Sequence, residues 1–156
     1  MLNVEIPGSD NITARYLVLD YNGTLAKDGT ILKGVADKLN ILSKVLSVYI
    51  ITADTFGTVK SNLKNCNCEC VIIAGEYQGK QKCEFIKNLN SSEVIAIGNG
   101  FNDALMLKES ALGIALIQDE GASVKTVCNA DIVCTDILVA LDLLLNPKRI
   151  KATLRN

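Results

Sequence analysis

The chain has 156 residues, 49% of them apolar, and its 16 basic and 17 acidic side chains leave a net charge of -1. That size and apolar content predict one domain, spanning residues 1–156, with a substantial core. The charge balance and the absence of Trp argue against a nucleic-acid or anionic-membrane partner and leave small-molecule chemistry as the expectation.

In chain order, MLNVEIPGSD lacks the basic segment and apolar run of a signal peptide. Its alternating Leu2, Val4 and Ile6 read as an exposed edge strand. Tyr16–Leu19 is a short β-type run ending at Asp20. Leu32, Val35, Leu39, Leu42 and Leu46 recur at helical spacing, and Val48–Ile51 forms the next strand. Phe56, Val59 and Leu63 mark a helix, Val71–Ala74 a strand, and Phe85, Ile86 and Leu89 another helix. Strand Val94–Ile97, helix Ala104–Leu107, strands Ile114–Ile117 and Ile132–Cys134, and helix Ile137–Leu145 complete the series. No apolar stretch reaches the roughly 18 residues of a membrane span, so a cytoplasmic protein is expected.

Repeated strand–helix units with short connections predict an α/β protein with a parallel sheet covered on both faces. Chemistry in such folds collects where strands end and helices begin. Three of those ends are polar and rich in small residues: Asp20–Thr24, Thr52–Thr55 and Gly98–Asp103. Asp20 either caps backbone amides in an Asx turn or serves a phosphate that Gly23 lets approach closely. Thr52 is open to two readings, a hydroxyl donor to a phosphoryl oxygen or a cap for the following helix, a role that Asp54 or Thr55 could also fill. GNGFND places oxygen ligands suited to a hard cation beside a sharp turn, and it is no dinucleotide fingerprint because Asp103 stands at the third glycine position. Cys66, Cys68 and Cys70 alternate, which places them on one face of a strand as small buried thiols; that is poor geometry for a tetrahedral metal site.

LVLDYNGTLA, IITADT, a later lysine and AIGNGFNDALML resemble, in order, the four signatures of the haloacid dehalogenase superfamily. The variants look similar to the phosphorylation domain of P-type ATPases. Together with DYNGTLAKDG, EGAS and NPKRIKATLRN they also resemble the small soluble P-type ATPase-like phosphatases. The resemblance covers the whole chain and implies a three-layer α/β/α, Rossmann-like fold with a mostly parallel central sheet. It implies a magnesium-dependent phosphatase working through an aspartyl-phosphate on a small phosphorylated substrate or a phosphoprotein. Carried over by position, Asp20 is the nucleophile and a metal ligand, and the backbone carbonyl of Asn22 also binds magnesium. Thr52, with Asn22, Gly23 and Ala53, holds the phosphoryl group. Lys82 neutralises phosphate and Asp20 together, Asn99 takes a metal-ligand position, and Thr24, Asn102 and Asp103 stand around them. Lys82 is preferred to Lys80 because Ile86 and Leu89 follow it in the family's register.

Two departures bear on rate. Asn22 occupies the place where related phosphatases carry a general acid and base, and an amide cannot shuttle a proton. Asn99 replaces an Asp, which predicts weaker magnesium affinity. Both point to slow turnover, or alternatively to a non-turnover phosphate-sensing or regulatory module. The intervals from Thr24 to Thr52 and from Thr52 to Lys82 are too short for a cap domain. An uncapped site leaves room for cover by a homo-oligomer or a macromolecular substrate. The basic tail, Lys148–Arg155, is expected to be solvated with Ile150 and Leu154 docked on the body.

Overall fold

The apolar periodicity resolves into a strand–helix series in the computed structural model, which describes residues 1–53 and 58–156. In chain order the elements are β1 (Leu2–Val4), β2 (Ile12–Ala14), β3 (Tyr16–Asp20), β4 (Ala26–Lys27), β5 (Thr30–Ile31), α1 (Val35–Leu42), β6 (Ser47–Thr52), α2 (Val59–Asn62), β7 (Glu69–Ile72), α3 (Gln78–Asn88), β8 (Val94–Gly98), α4 (Ala104–Glu109), β9 (Leu112–Leu116), α5 (Val124–Val127), β10 (Ile132–Cys134), α6 (Ile137–Leu145) and α7 (Pro147–Leu154). Single 3-10 turns occupy Ser91–Glu93 and Phe101–Asp103.

Among the described residues six strands form one parallel sheet in the order β10-β9-β8-β3-β6-β7. The chain runs outward from β3 through β6 to β7, then crosses back to β8 on the other side of β3. That reversal makes the carboxyl end of β3 a topological switch point, where connections diverge and leave a crevice.

Alternation along each strand assigns its side chains to the two faces. Leu17 and Leu19 of β3, Ile95 and Ile97 of β8, and Leu112, Ile114 and Leu116 of β9 belong to one core with Leu39, Leu42, Leu141 and Leu144. Val18, Val94, Ala96 and Ala115 face a second core with Ile86, Met106 and Leu107. Helices α1 and α6 pack together on the first side, and α3 and α4 on the second. The result is the three-layer α/β/α arrangement read from the sequence. Between β3 and β6 the chain holds only the two-residue strands β4 and β5 and helix α1.

Three local expectations are corrected. Leu2, Val4 and Ile6 do not form an exposed edge: β1 pairs antiparallel with β2 in a sheet of its own, and all three side chains are buried. Helix α7 packs against β1, with Ile150 fully buried and Leu154 half-buried, which supplies the apolar cover that a local reading of the N-terminus lacks. The alternating cysteines are half-buried rather than core thiols, and only Cys70 lies within β7, which spans Glu69–Ile72 instead of Val71–Ala74. Asp54, Thr55 and Phe56 lie outside the described residues.

Helix α6 carries a side-chain cap: a carboxylate oxygen of Asp136 accepts from Leu138 N at 2.7 Å and Val139 N at 3.2 Å. Asp136→Ala is expected to lower stability by about 1 kcal/mol, and Asp136→Asn by much less, since both Asp and Asn cap well. Urea midpoints of the two variants measure the difference, and equal midpoints would contradict the capping role.

Candidate functional site

The site assembles at the carboxyl ends of three adjacent strands. Asp20 is the last residue of β3, and its register partner on β6 is Ile51, so Thr52 stands one step further along the neighbouring strand. Gly98 ends β8 on the other side, and the turn through Asn99 to Asp103 follows. Asp20, Thr52, Asn99 and Asp103 are all buried although polar.

Lys82 reaches the same place from the first turns of α3. Its side chain is fully buried, and Nζ donates to Asp20 Oδ1 and to Asp103 Oδ1, each at 2.6 Å. Asp103 is held in turn, because its Oδ2 accepts from the backbone N–H groups of Asn99 and Gly100, both at 2.9 Å. Asp103 thus ties the lysine to the turn that follows β8. Lys80, the rejected candidate, lies outside this group with its ammonium 5.1 Å from the ring centroid of Tyr77.

On the other side of Asp20, Thr24 Oγ1 sits 3.3 Å from Asp20 Oδ2 and 3.2 Å from Asn99 Oδ1. The Asn99 amide is oriented by a second bond, Nδ2 to the Gly121 carbonyl at 3.0 Å. A carboxylate at position 99 would set an oxygen against that carbonyl, which accounts physically for an amide there. Its Oδ1 is left facing the Asp20 side, so a carboxylate oxygen and an amide oxygen converge around one hydroxyl.

Two glycines permit this closeness. A Cβ at Gly98 would lie 2.5 Å from Asp103 Cγ, and one at Gly23 would lie 2.4 Å from Asn99 Nδ2. Gly23 also has φ +77°, a conformation that side chains resist. Asn22 beside it is exposed at the turn, and Ala53 is half-buried after β6. Asn102 donates from Nδ2 to Gln78 Oε1 at 3.2 Å.

The electrostatics are those of a strained carboxylate. Burial first, and the Asp103 charge second, push the Asp20 carboxyl up to about 7 against the pull of Lys82. Burial alone would depress Lys82, but the charges of Asp20 and Asp103 and their hydrogen bonds outweigh it and hold the ammonium above its ordinary range.

The structure adds residues that motif reading passed over. Gln118 follows β9; its Nε2 donates to the carbonyls of Gly23 and Thr24, each at 3.0 Å, while its Oε1 accepts from Ile137 N at 2.7 Å. It straps the turn after Asp20 to the start of α6. Thr126 Oγ1 donates to the Gly100 carbonyl at 2.6 Å, and Ser123 N donates to the Asn99 carbonyl at 2.9 Å. Gln118 is also a polar residue at a strand's carboxyl end, and reading that fourth strand end as the other three were read would have found it.

A family model described as haloacid dehalogenase-like hydrolase matches residues 77–136, a span that includes Lys82, Asn99 and Asp103. An uncharacterized protein of Methanocaldococcus jannaschii is 55% identical over 73 residues, 47% of this chain and 78% of that protein. A probable copper-exporting P-type ATPase of Archaeoglobus fulgidus is 31% identical over 96 residues, 60% of this chain and 12% of the ATPase. The 3-deoxy-D-manno-octulosonate 8-phosphate phosphatase of Moraxella catarrhalis, solved with magnesium, phosphate and KDO, superposes with a TM-score of 0.66 at 18% identity, covering 89% of this chain and 90% of that one. A phospho-aspartyl intermediate analogue of phosphoserine phosphatase gives a TM-score of 0.66 at 14% identity, over 85% of this chain and 99% of that one. Residues 77–136, which carry the lysine helix and the turn after β8, are thus similar to the haloacid dehalogenase-like hydrolases, and the chain as a whole shares the three-layer fold of the two phosphatase structures.

Proposed function

We propose that this protein is a magnesium-dependent phosphatase that moves a phosphoryl group from a small phosphorylated substrate to Asp20 and then, slowly, to water. The observation that carries the reading is Asp20 itself: a carboxylate at the tip of the central strand, beside a buried ammonium that Asp103 holds in place. The names of the structural neighbours point the same way, one a phosphatase solved with magnesium and phosphate, the other a phospho-aspartyl analogue.

The oxygen donors fit a hard cation. Asp20 Oδ2 and Asn99 Oδ1 face one region, and magnesium takes one or two such protein ligands with phosphate and water completing its shell. Among the described residues no group of three or more His, Cys, Asp or Glu side chains collects, so phosphate and water would supply the rest. When bound, magnesium would offset charge on the phosphoryl oxygens as an anionic nucleophile approaches. The chain's own groups do the remainder. Lys82 orients Asp20 and adds a fixed positive charge among largely buried groups. The Thr52 hydroxyl and the backbone around Gly23 and Ala53 bind the transferring group.

Turnover is limited by Asn22. Hydrolysis of phospho-Asp20 requires water to lose a proton, and an amide cannot accept it. The absence of a general base costs about 10²–10⁴-fold. Mixing the protein with acetyl phosphate and magnesium is therefore expected to add the mass of one phosphoryl group at Asp20, seen by intact and peptide mass spectrometry, with none on Asp20→Asn. Phosphate binding without any modified Asp20 would identify a sensing module instead. The Asn22→Asp variant is expected to shorten the phosphoenzyme lifetime by about 10²–10⁴-fold, measured by quench-flow. An unchanged lifetime would remove Asn22 from the explanation.

The raised Asp20 carboxyl also predicts a pH dependence of stability. An unfolded aspartate ionises near 3.8, whereas Asp20 in the folded protein ionises at about 7. Between those values the folded state holds the extra proton, so this group's contribution to stability declines as pH rises through the window. In metal-free, phosphate-free buffer, the stability of Asp20→Asn relative to the parent protein should increase from pH 4 to pH 7 and then level off. Urea denaturation at a series of pH values tests this, and a variant-minus-parent stability that falls with rising pH would refute it.

A further inference from the structure

Among the described residues, two of the three most exposed large apolar side chains share one groove. Val124, Phe101 and Tyr77 are 76%, 74% and 71% exposed, and Phe101 and Tyr77 line a single groove of about 520 Å³ with Leu105. Val124 precedes Lys125, another lining residue. Among the described residues the other rings, Tyr16, Tyr21, Tyr49 and Phe85, are buried or half-buried, so two exposed rings on one groove are a concentration.

The groove adjoins the phosphoryl site. It lies between the first turn of α3 and the turn that starts α4, both at the end of the sheet where β3 and β8 finish. Two of its lining residues, Gln78 and Asn102, are hydrogen-bonded to each other, and they stand, respectively, one helical turn from Lys82 and one residue from Asp103 along the chain. A Cβ at Gly79 would lie 3.2 Å from the Asn102 carbonyl oxygen, so the helix seats directly on that turn. Tyr77 is held at φ +60°, a conformation unfavourable for a bulky residue, although its ring gains little burial from the fold. Such strain concentrates at ligand clamps.

The geometry points to a leaving-group subsite: the groove binds the ring of an aryl phosphate while the phosphoryl group lies against Asp20. This rests on the phosphatase reading above and names its substrate class. Three observations favour a small aromatic occupant. The volume falls in the range of small-ligand sites, roughly 300–1,000 Å³. The charged lining residues, Glu76 and Lys125, are opposite in sign, so the groove suits a neutral ring. With Asn22 in place of a general acid, the departing oxygen must leave as its anion, and a phenolic oxygen, with acidity near that of tyrosine at about 10, does so far more readily than an alkoxide.

In the reaction a bond forms between an Asp20 carboxylate oxygen and phosphorus as the aryl oxygen–phosphorus bond breaks. The phenolate departs with the bonding pair and takes its proton from water. A water molecule then attacks phosphorus, the Asp20–phosphorus bond breaks, and inorganic phosphate and the free carboxylate result.

Phe101→Ala and Tyr77→Ala alter exposed positions and so test the subsite without emptying a core. Each is expected to lower the ratio of kcat/KM for phenyl phosphate over acetyl phosphate by about three- to tenfold, the scale of one aromatic contact. Calorimetric titration of the magnesium-loaded protein with benzylphosphonate and with methylphosphonate should show the same loss of preference for the ring. Ratios unchanged in both variants, with Asp20-dependent hydrolysis intact, would overturn the subsite alone. Sedimentation showing a dimer that either variant dissociates would assign the groove to a second copy and also overturn it. If the parent chain hydrolyses neither phosphate by way of Asp20, the phosphatase reading fails and the subsite falls with it.

Discussion

Lys82 places an ammonium in the interior at 2.6 Å from an oxygen of each of Asp20 and Asp103, and the layout of the surrounding loops follows from that arrangement. A buried charge without partners costs several kcal/mol, so the three groups constrain one another. Asp103 can serve the lysine only because its second oxygen is anchored by two backbone N–H groups of the turn that begins at Asn99. That turn packs so closely that residue 98 has to lack a side chain. The helix of Lys82, the strand of Asp20 and the turn after β8 are locked together by one cation.

The lock is unequal. Two carboxylates share one ammonium, and Asp20, at the end of a buried strand, bears both desolvation and the nearby charge of Asp103. Its ionised form is the one a nucleophile needs, yet burial and the Asp103 charge disfavour that form. The Lys82 ammonium and the backbone N–H of Tyr21 act in the opposite direction. Stability is thereby reduced at the position where chemistry is concentrated, as expected where a fold holds a reactive group in readiness.

Asn22 and Asn99 look alike as departures from the family pattern, but the structure separates them. Asn99 is buried, and its amide nitrogen is committed to the Gly121 carbonyl, so a carboxylate would conflict with its surroundings. Asn22 is exposed on the turn, where an Asp would meet no such conflict. The first substitution is accounted for by packing and hydrogen bonding; the second has no such account in its surroundings. Gln118 connects the same turn to α6 and gives the floor of the site a support that no motif announces.

Much of the architecture was legible from the chain. Apolar runs ending in small polar residues located β3, β6, β8 and β10 to within a residue or two, and the helical spacing of Val35, Leu39 and Leu42 identified a face that became core. The polar strand ends and the register of Lys82 with Ile86 and Leu89 named the residues that the fold brings together. These are local features, set by the period of a strand or helix and by the residues that stop it. Strand order is different, because periodicity carries no information about which strands become neighbours. The convergence of Asp20 with Lys82, 62 residues away, depends on that order. So do the burial of Leu2, Val4 and Ile6 by an N-terminal hairpin and the last helix, and the placement of Tyr77 and Phe101 on one groove. Sequence determined the elements and the chemically capable side chains; tertiary structure decided which carboxylate shares its proton equilibrium with which ammonium, because that is set by distances between segments that no local pattern encodes.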